Sequence, residues 1–448
     1  MLIQNLQQFA SETPDKQAIV YKGKSITYAN LWHEIETRRP QITQIQQKNL
    51  LLTHTNELEN LFNFLAGISI GKVGIFGGKH LNNSQLSELS EKHNTYILNE
   101  NSEKYNSKLD THSQELTTHH PSLTTIFLGV LTSGTTSTPN LIWKDYQAWF
   151  TAFPHQSDVF GISKTDRLFV LDALSYSANL NSALHILWLG GTLVLTELKT
   201  ANTWSNQIEN EHITSIFMVP SHYRLLVNFA DHNLQLSSIV SAGEKLEGNL
   251  AQKLLNYGPK AKLTEYYGSA ELGHISYHQN QEIIDNPLSV GRPFPEVKVA
   301  IEKEQIFVES PYISPDFRKI KTNFDLGYFI DNQLILMGRS GRMFNRRGLN
   351  IFAEEIENTV KILTFVAEVA LIGILQNDNT HQLFLTYTCT TGYQNNTNSQ
   401  LIHNHLAAHL QATKIPSRIQ EFKNLPRTDF GKIDYKAIAR TFEEEILA

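Results

Sequence analysis

The chain has 448 residues, 41% of them hydrophobic, and a net charge of −6 made up of mixed signs. That length exceeds what one hydrophobic core serves and predicts two or three domains, while the composition excludes collagen, a coiled coil and wholesale disorder. A mildly acidic chain with no long block of like charge also argues against nucleic acid as the main partner. The opening "MLIQNLQQFASETPDK" has no basic region followed by an apolar one, so it does not read as a signal peptide. Next, "KQAIVYKGKSITYANLWHEIETR" reads as strand, turn at Lys22–Gly23, strand and helix, and "LENLFNFLAGISIG" has helical spacing of its apolar residues. The most apolar long window, "LFNFLAGISIGKVGIFGG", is interrupted by Asn63, Ser69 and Lys72 and does not predict a membrane span. Together these features predict a cytoplasmic, soluble protein.

Residues 81–124 are polar, with one helix expected over "SQLSELSEKHN" and a solvated connection ending at Pro121. Its His119–His120 pair has no third ligand at metal spacing and reads as surface loop. From 125 to 300 strands and helices alternate. "DRLFVLDAL", "TLVLT", "ITSIFMVP" and "LSSIVSAGE" read as strands, and "ANTWSNQIENEH" as a helix. "NLNSALHILWLGG" reads as a helix stopped at its Gly pair. This rhythm predicts α/β architecture with mixed, largely parallel sheets flanked by helices. Short strands joined by turns follow over 297–337 and predict a β-rich subdomain with a hairpin turn at "DNQ". After "GRSGR", helix, two strands and helix predict a small α+β domain, so the expected division is 1–340 and 341–448.

Several chemical signatures are missing: there is no G-x-x-x-x-G-K-[ST], no H-E-x-x-H and no G-x-S-x-G. The run "GISIGKVGIFGG" has the wrong spacing for a dinucleotide loop. Cys389, the one cysteine, sits in an alternating strand-like run and reads as structural rather than nucleophilic. What the chain does carry is a strand-like "TTIFLGVL" running into the hydroxyl-rich loop Thr132-Ser133-Gly134-Thr135-Thr136-Ser137. Backbone amides and hydroxyls in such a loop can cradle phosphate, although the same residues also make ordinary turns. Further short motifs follow: "EYYGSAELG" at 265–273, "TNFDLGYF" at 322–329, "GRSGRMFNRRGLNIFAEEIE" at 338–357 and "LPRTDFGKIDY" at 425–435.

Together and in this order, these motifs resemble the adenylate-forming superfamily: acyl- and aryl-CoA synthetases, adenylation domains of nonribosomal peptide synthetases, and luciferase. The resemblance covers essentially the whole chain. It implies a two-step reaction in which a carboxylic acid attacks the α-phosphate of ATP, and a thiol then displaces AMP. The implied cofactors are ATP and Mg²⁺, with coenzyme A or a phosphopantetheine arm, free or on a separate carrier protein, as acceptor. The resemblance assigns the hydroxyl loop to the phosphates. It places Gly243, Glu244, Tyr267, Gly268 and Ser269 around the nucleotide, Glu271 on Mg²⁺, Asp325 on the ribose and Arg339 near ribose and phosphates. Lys432 becomes the mobile lysine that bridges carboxylate and α-phosphate, with Gly341 at the pivot of a mobile C-terminal domain. Arg347, Gly348 and Asn350 lie in the segment presented for thioester formation.

The chain departs from the family pattern at three places: Ser137 and Asn140 stand where the phosphate loop usually has Gly and Lys, and Ala270 where a hydroxyl precedes the glutamate. Lys144 is a candidate for the missing charge. Counted back from Gly190, Tyr176 falls at the wall of the acyl pocket. Ser177 falls where amino-acid-activating members place an Asp, which argues against an α-amino acid. The expectation is therefore a ligase for a non-amino carboxylic acid, fatty ahead of aryl. Two alternatives stand beside it: an adenylation enzyme loading an aryl or amino acid onto a carrier protein, and a degenerate nucleotide binder without catalysis.

Overall fold

Runs of four or five apolar residues that are buried on both faces suit the middle of a parallel sheet, where helices cover both sides. The strands Ser215–Met218, Ser238–Ala242 and Thr192–Thr196 approach this pattern, with Ser or Thr at some positions, and every residue in them is buried. The computed structural model describes residues 1–78, 81–102, 106, 122–132, 139–171, 173–229, 234–339, 342–346, 349–376, 381–390, 397–427 and 433–447. The chain divides into two units. The first holds Met1–Ala300, Phe307–Asn323 and Phe329–Ile335, and the second holds Ile301–Ile306, Phe324–Tyr328 and Leu336–Ala448.

The first unit contains a nine-stranded and a five-stranded sheet. In the larger, Lys262–Ser269, Ser238–Ala242, Ser215–Met218, Arg167–Leu171, Thr192–Thr196 and Gln17–Tyr21 are neighbours in that order and all parallel. Antiparallel strands close both edges: Gly273–Gln279 and Arg292–Pro293 on one side, Lys24–Thr27 on the other. In the smaller, Thr95–Leu98, Asn49–Leu52, Val73–Phe76 and Ile126–Thr132 are parallel, and Asn140–Asp145 returns antiparallel to the last. The predicted α/β rhythm is thus observed. The sequence reading did not anticipate the helix Leu2–Glu12, whose apolar Leu2 and Leu6 are buried.

Local chemistry sets the ends of these elements. Asn56 caps the helix Glu57–Ser69 by accepting from the Leu58 amide at 3.0 Å. The helix Ser177–Leu189 stops at Gly190, which takes the left-handed φ of 82° that glycine adopts without penalty. The "DNQ" turn joins Asp325–Ile330 to Gln333–Arg339, with Asp331 and Asn332 both at positive φ, as a two-residue hairpin requires.

Asp166 ties the amino ends of three parallel strands together. Its Oδ1 accepts from the hydroxyls of Thr214 (2.6 Å), Ser215 (3.0 Å) and Ser237 (2.6 Å), and its Oδ2 accepts from the Ser163 amide (2.7 Å) and hydroxyl (2.9 Å). Burial raises the Asp166 pKa, but the Ser237, Thr214 and Ser163 bonds outweigh it and hold the carboxyl below its ordinary value.

In the second unit, Val366–Leu375 pairs antiparallel with His381–Cys389, which runs parallel to Arg418–Glu421. Alternation divides the sheet's two faces. Val369, Leu371, Leu383 and Leu385 pack with Ile356, Val360, Ile402 and Leu406 of the helices Ala353–Lys361 and Asn398–His409. Ala370, Ile372 and Phe384 pack with Ile438 and Phe442 of Tyr435–Leu447. Cys389 ends its strand half-buried, accepting from Asn398 Nδ2 at 3.3 Å, and burial raises its thiol pKa, which fits the structural role.

Asp166→Asn should lower unfolding stability at pH 7 by about 2–4 kcal/mol, because several charge-assisted bonds weaken together. The folded pKa lies below the unfolded one, so this contribution is present above pH ~3.9 and fades as pH falls further. Urea unfolding at pH 7 and pH 3.5 checks this: the two proteins should differ more at pH 7.

Candidate active site

Strands that run parallel end on the same edge of their sheet, and in open α/β sheets that carboxyl edge is where ligands bind. The residues singled out from the sequence follow this rule. Ser269 ends Lys262–Ser269, Gly243 and Glu244 follow Ser238–Ala242, and Tyr176 and Ser177 begin a helix soon after Arg167–Leu171. Thr132 ends Ile126–Thr132 in the second sheet, where its hydroxyl donates to the Asn140 carbonyl at 3.4 Å.

Glu271 lies half-buried in the tight turn between Lys262–Ser269 and Gly273–Gln279, not at a helix start. Two contacts fix this turn: the Ser314 amide donates to the Glu271 carbonyl at 2.9 Å, and the Ser314 hydroxyl donates to the Ala270 carbonyl at 2.9 Å. Ser269 Oγ accepts from the Leu272 amide at 3.1 Å. Gly273 adopts φ 73°, and a Cβ there would stand 2.7 Å from Tyr312 Cβ and 2.8 Å from its carbonyl oxygen, so only glycine allows Tyr312 this close. Gly268 is exposed beside Tyr267, and a Cβ on it would meet the Gly273 carbonyl at 2.5 Å. The exposed Glu244 accepts from the Ser221 hydroxyl at 3.0 Å.

The acyl-pocket candidates connect to the Glu271 turn through three residues that the sequence reading missed. The helix Ser177–Leu189 carries Ser177, Asn181 and His185 four residues apart, hence on one face. Gln156, on the helix Phe153–Phe160, donates through Nε2 to Asn181 Oδ1 at 2.5 Å and lies 3.1 Å from His274 Nε2, three residues beyond Glu271. Gln156 Oε1 is buried without a partner among the described residues. His185 Nε2 lies 2.9 Å from the Ser157 hydroxyl. Burial pushes the pKa of His274 down to about 3, with the nearness of His185 and Lys144 adding to the effect. Burial likewise lowers His185 to about 3, against a backbone hydrogen bond at Phe153. Polar residues recurring every fourth position in a helix otherwise built for burial were the available signal.

Lys144, on Asn140–Asp145, is 2% exposed. Burial lowers its pKa to about 8, and the charge of Glu271, followed by that of Asp145, opposes the shift. A second buried cluster is centred on Glu265 of the strand Lys262–Ser269. Glu265 accepts from Lys245 Nζ at 2.6 Å and from the Leu246 amide at 2.6 Å, and pairs with His278. Burial raises the Glu265 pKa, but Lys245 and His278 more than compensate and leave it lowered.

In the second unit, Asp325 is 6% exposed at the head of Asp325–Ile330, and Arg339 ends Gln333–Arg339. Asn350 lies in the strand Leu349–Phe352. Ser133, Gly134, Thr135, Thr136, Ser137, Gly341, Arg347, Gly348 and Lys432 lie outside the described residues, as does the His119–His120 pair. Among the described residues no group of three His, Cys, Asp or Glu side chains could by itself hold a metal ion. A single half-buried carboxylate at Glu271 nevertheless fits Mg²⁺, a hard cation usually held by one or two carboxylates together with substrate phosphates.

The architecture is that of enzymes that activate carboxylic acids on a nucleotide. The o-succinylbenzoate-CoA synthetase of Bacillus subtilis, solved in complex with an acyl-adenylate intermediate, superposes with a TM-score of 0.84 over 97% of each chain at 17% identity. A Staphylococcus epidermidis protein provisionally named long chain fatty acid-CoA ligase VraA is 24% identical over 464 residues, covering 98% of each chain. The acyl-CoA ligase YhfT of Bacillus subtilis, named as uncharacterized, is 27% identical over 336 residues, 70% of this chain and 68% of its own. The chain belongs to the AMP-binding enzyme family, whose profile matches residues 75–308.

Two buried histidines with depressed pKa values make stability depend on pH. The unfolded chain protonates them near pH 6.5, whereas the folded chain resists down to about 3, so stability falls as pH drops through that window. The urea midpoint should therefore be lower at pH 5 than at pH 7, and His185→Gln should show a smaller drop than the wild type. Equal drops would remove His185 from this account.

Proposed function

We infer that the protein is an ATP-dependent acid–thiol ligase. It joins a carboxylic acid to AMP with release of pyrophosphate, then transfers the acyl group to the thiol of coenzyme A or of a carrier protein's phosphopantetheine, releasing AMP. The observation that carries this reading is the Glu271 turn: a carboxylate-bearing turn whose backbone Ser314 holds at a strand end, within the span that matches the AMP-binding family. Mg²⁺ bound there would neutralise phosphate charge, which is most of what phosphoryl-group chemistry requires.

The residues divide the work as follows. The loop Thr132 to Ser137 holds the β- and γ-phosphates, Tyr267 and Gly268 flank the base, and Gly243, Glu244 and Ser269 complete the nucleotide site. Asp325 accepts from the ribose hydroxyls and Arg339 adds charge near ribose and phosphates. Lys432 draws the attacking carboxylate and the α-phosphate together, supplying positive charge where negative charge develops. Gly341 is the pivot about which the residues after 340 turn between the two half-reactions, bringing Arg347, Gly348 and Asn350 into use for the second. Departures at Ser137, Asn140 and Ala270 leave Glu271, Asp325 and Lys432 in place, which favours an active enzyme over a degenerate binder.

The acid is a non-amino acid, since Ser177 offers no counter-charge to an ammonium. A fatty acid is supported by the name of the staphylococcal relative. An aryl acid with a polar substituent is the second reading, favoured by the buried polar line of Gln156, Asn181 and His274 behind Ser177. No helix among the described residues is long and apolar enough to cross a membrane.

The test is acid-dependent pyrophosphate release with ATP and Mg²⁺ across fatty, aryl and amino acids. One acid class should stimulate release, and Lys432→Ala should slow it by at least about a hundredfold. ATP binding without release for any acid would establish the degenerate binder instead.

A further inference from the structure

Lysine is almost never fully buried unless its charge is matched, because an unpaired interior ammonium is costly. Lys144 is 2% exposed, and its sequence neighbour does not serve it. Asp145 is committed elsewhere, to Arg318 at 2.7 Å through Oδ2 and to the Ala148 amide at 2.8 Å through Oδ1. Adjacent strand residues face opposite ways, so the two charges diverge. Among the described residues no carboxylate stands within ion-pair distance of Lys144 and no acceptor within hydrogen-bond distance, and the Trp149 ring lies 5.7 Å from Nζ. The carboxylate that acts on it most strongly is Glu271, and its own charge is felt at His274. The ammonium therefore lies in the field of both the Glu271 turn and the polar line behind Ser177. It shares a strand and a strand face with Asn140, where the loop lacks a cation.

We propose that Lys144 is an anion-binding residue of the activation site, taking over the charge absent at Asn140. Its ligand is an oxyanion, either of the nucleotide's polyphosphate end or of the acid's carboxylate. This deepens the ligase reading and rests on its assignment of Glu271. Among the described residues no carboxylate pairs directly with this ammonium, and a bound oxyanion supplies the pairing charge.

The experiment is calorimetric binding without turnover, with Mg²⁺ present, using inorganic pyrophosphate, ATP, AMP and octanoate as probes. The proteins are the wild type, Lys144→Met, which keeps the volume and removes the charge, and Lys144→Arg, which keeps the charge. Lys144→Met should bind at least one anion about tenfold or more weakly, while Lys144→Arg stays close to wild type. In the ligand-free state Lys144→Met should melt at the same temperature as wild type or higher, which separates lost binding from lost folding. Loss confined to pyrophosphate and ATP assigns the polyphosphate, and loss confined to octanoate assigns the carboxylate. Unchanged affinity for every probe, or a wild type that binds none of them, overturns the proposal. Failure of the ligase reading appears separately, as absent acid-dependent turnover in a wild type that still binds pyrophosphate.

Discussion

Parallel pairing is the constraint on which the rest of the first unit depends. Six neighbouring strands run the same way, so their carboxyl ends share one edge. Residues separated by almost a hundred positions, such as Tyr176 and Ser269, are brought to that edge. Asp166 secures the opposite end, where its carboxylate gathers hydroxyls from three chain segments. One edge is stitched by the hydrogen bonds of Asp166, and the other carries the motif residues. This asymmetry separates the stabilising chemistry from the chemistry available to a ligand.

Much of the architecture was legible because the local signals agreed with each other. Apolar runs of strand length, bounded by Gly, Asn and Pro, located the parallel strands. The "DNQ" turn and the Gly pair after Leu189 marked a hairpin and a helix end by the backbone angles they permit. The helix Leu2–Glu12 was not foreseen, although Leu2, Leu6 and Phe9 recur at helical spacing. The motif residues on strand ends were found from their order along the chain. Gln156 and His274 were not, because their significance is a pairing across 118 positions that no single window contains. Asn181 lay in plain view on the face of Ser177, but four-residue spacing of polar side chains acquires meaning only once that face is known to point inward.

Family membership and local geometry answer different questions. The matched span and the superposition fix the framework and the class of enzyme. At 17–24% identity they leave the acid open, and the substrate has to be sought in the side chains around Ser177. Those side chains are mostly buried, neutral and mutually bonded. His185 and His274 are kept uncharged by desolvation, so these two side chains offer hydrogen bonds rather than ionic ones.

The Gln156 amide that serves both Asn181 and His274 has a consequence for how such a protein can change over generations. Each partner draws its hydrogen bond from the same group, so replacing one leaves another stranded in a dry interior, and the effects of substitutions do not add. A change in this buried line is therefore reached most easily through paired replacements, or through a first step that is silent until the second occurs. The turn around Glu271, held by backbone bonds to Ser314, lies outside that dependence. Descendants of this sequence can change the buried polar line in coordinated jumps while inheriting the Glu271 turn unchanged.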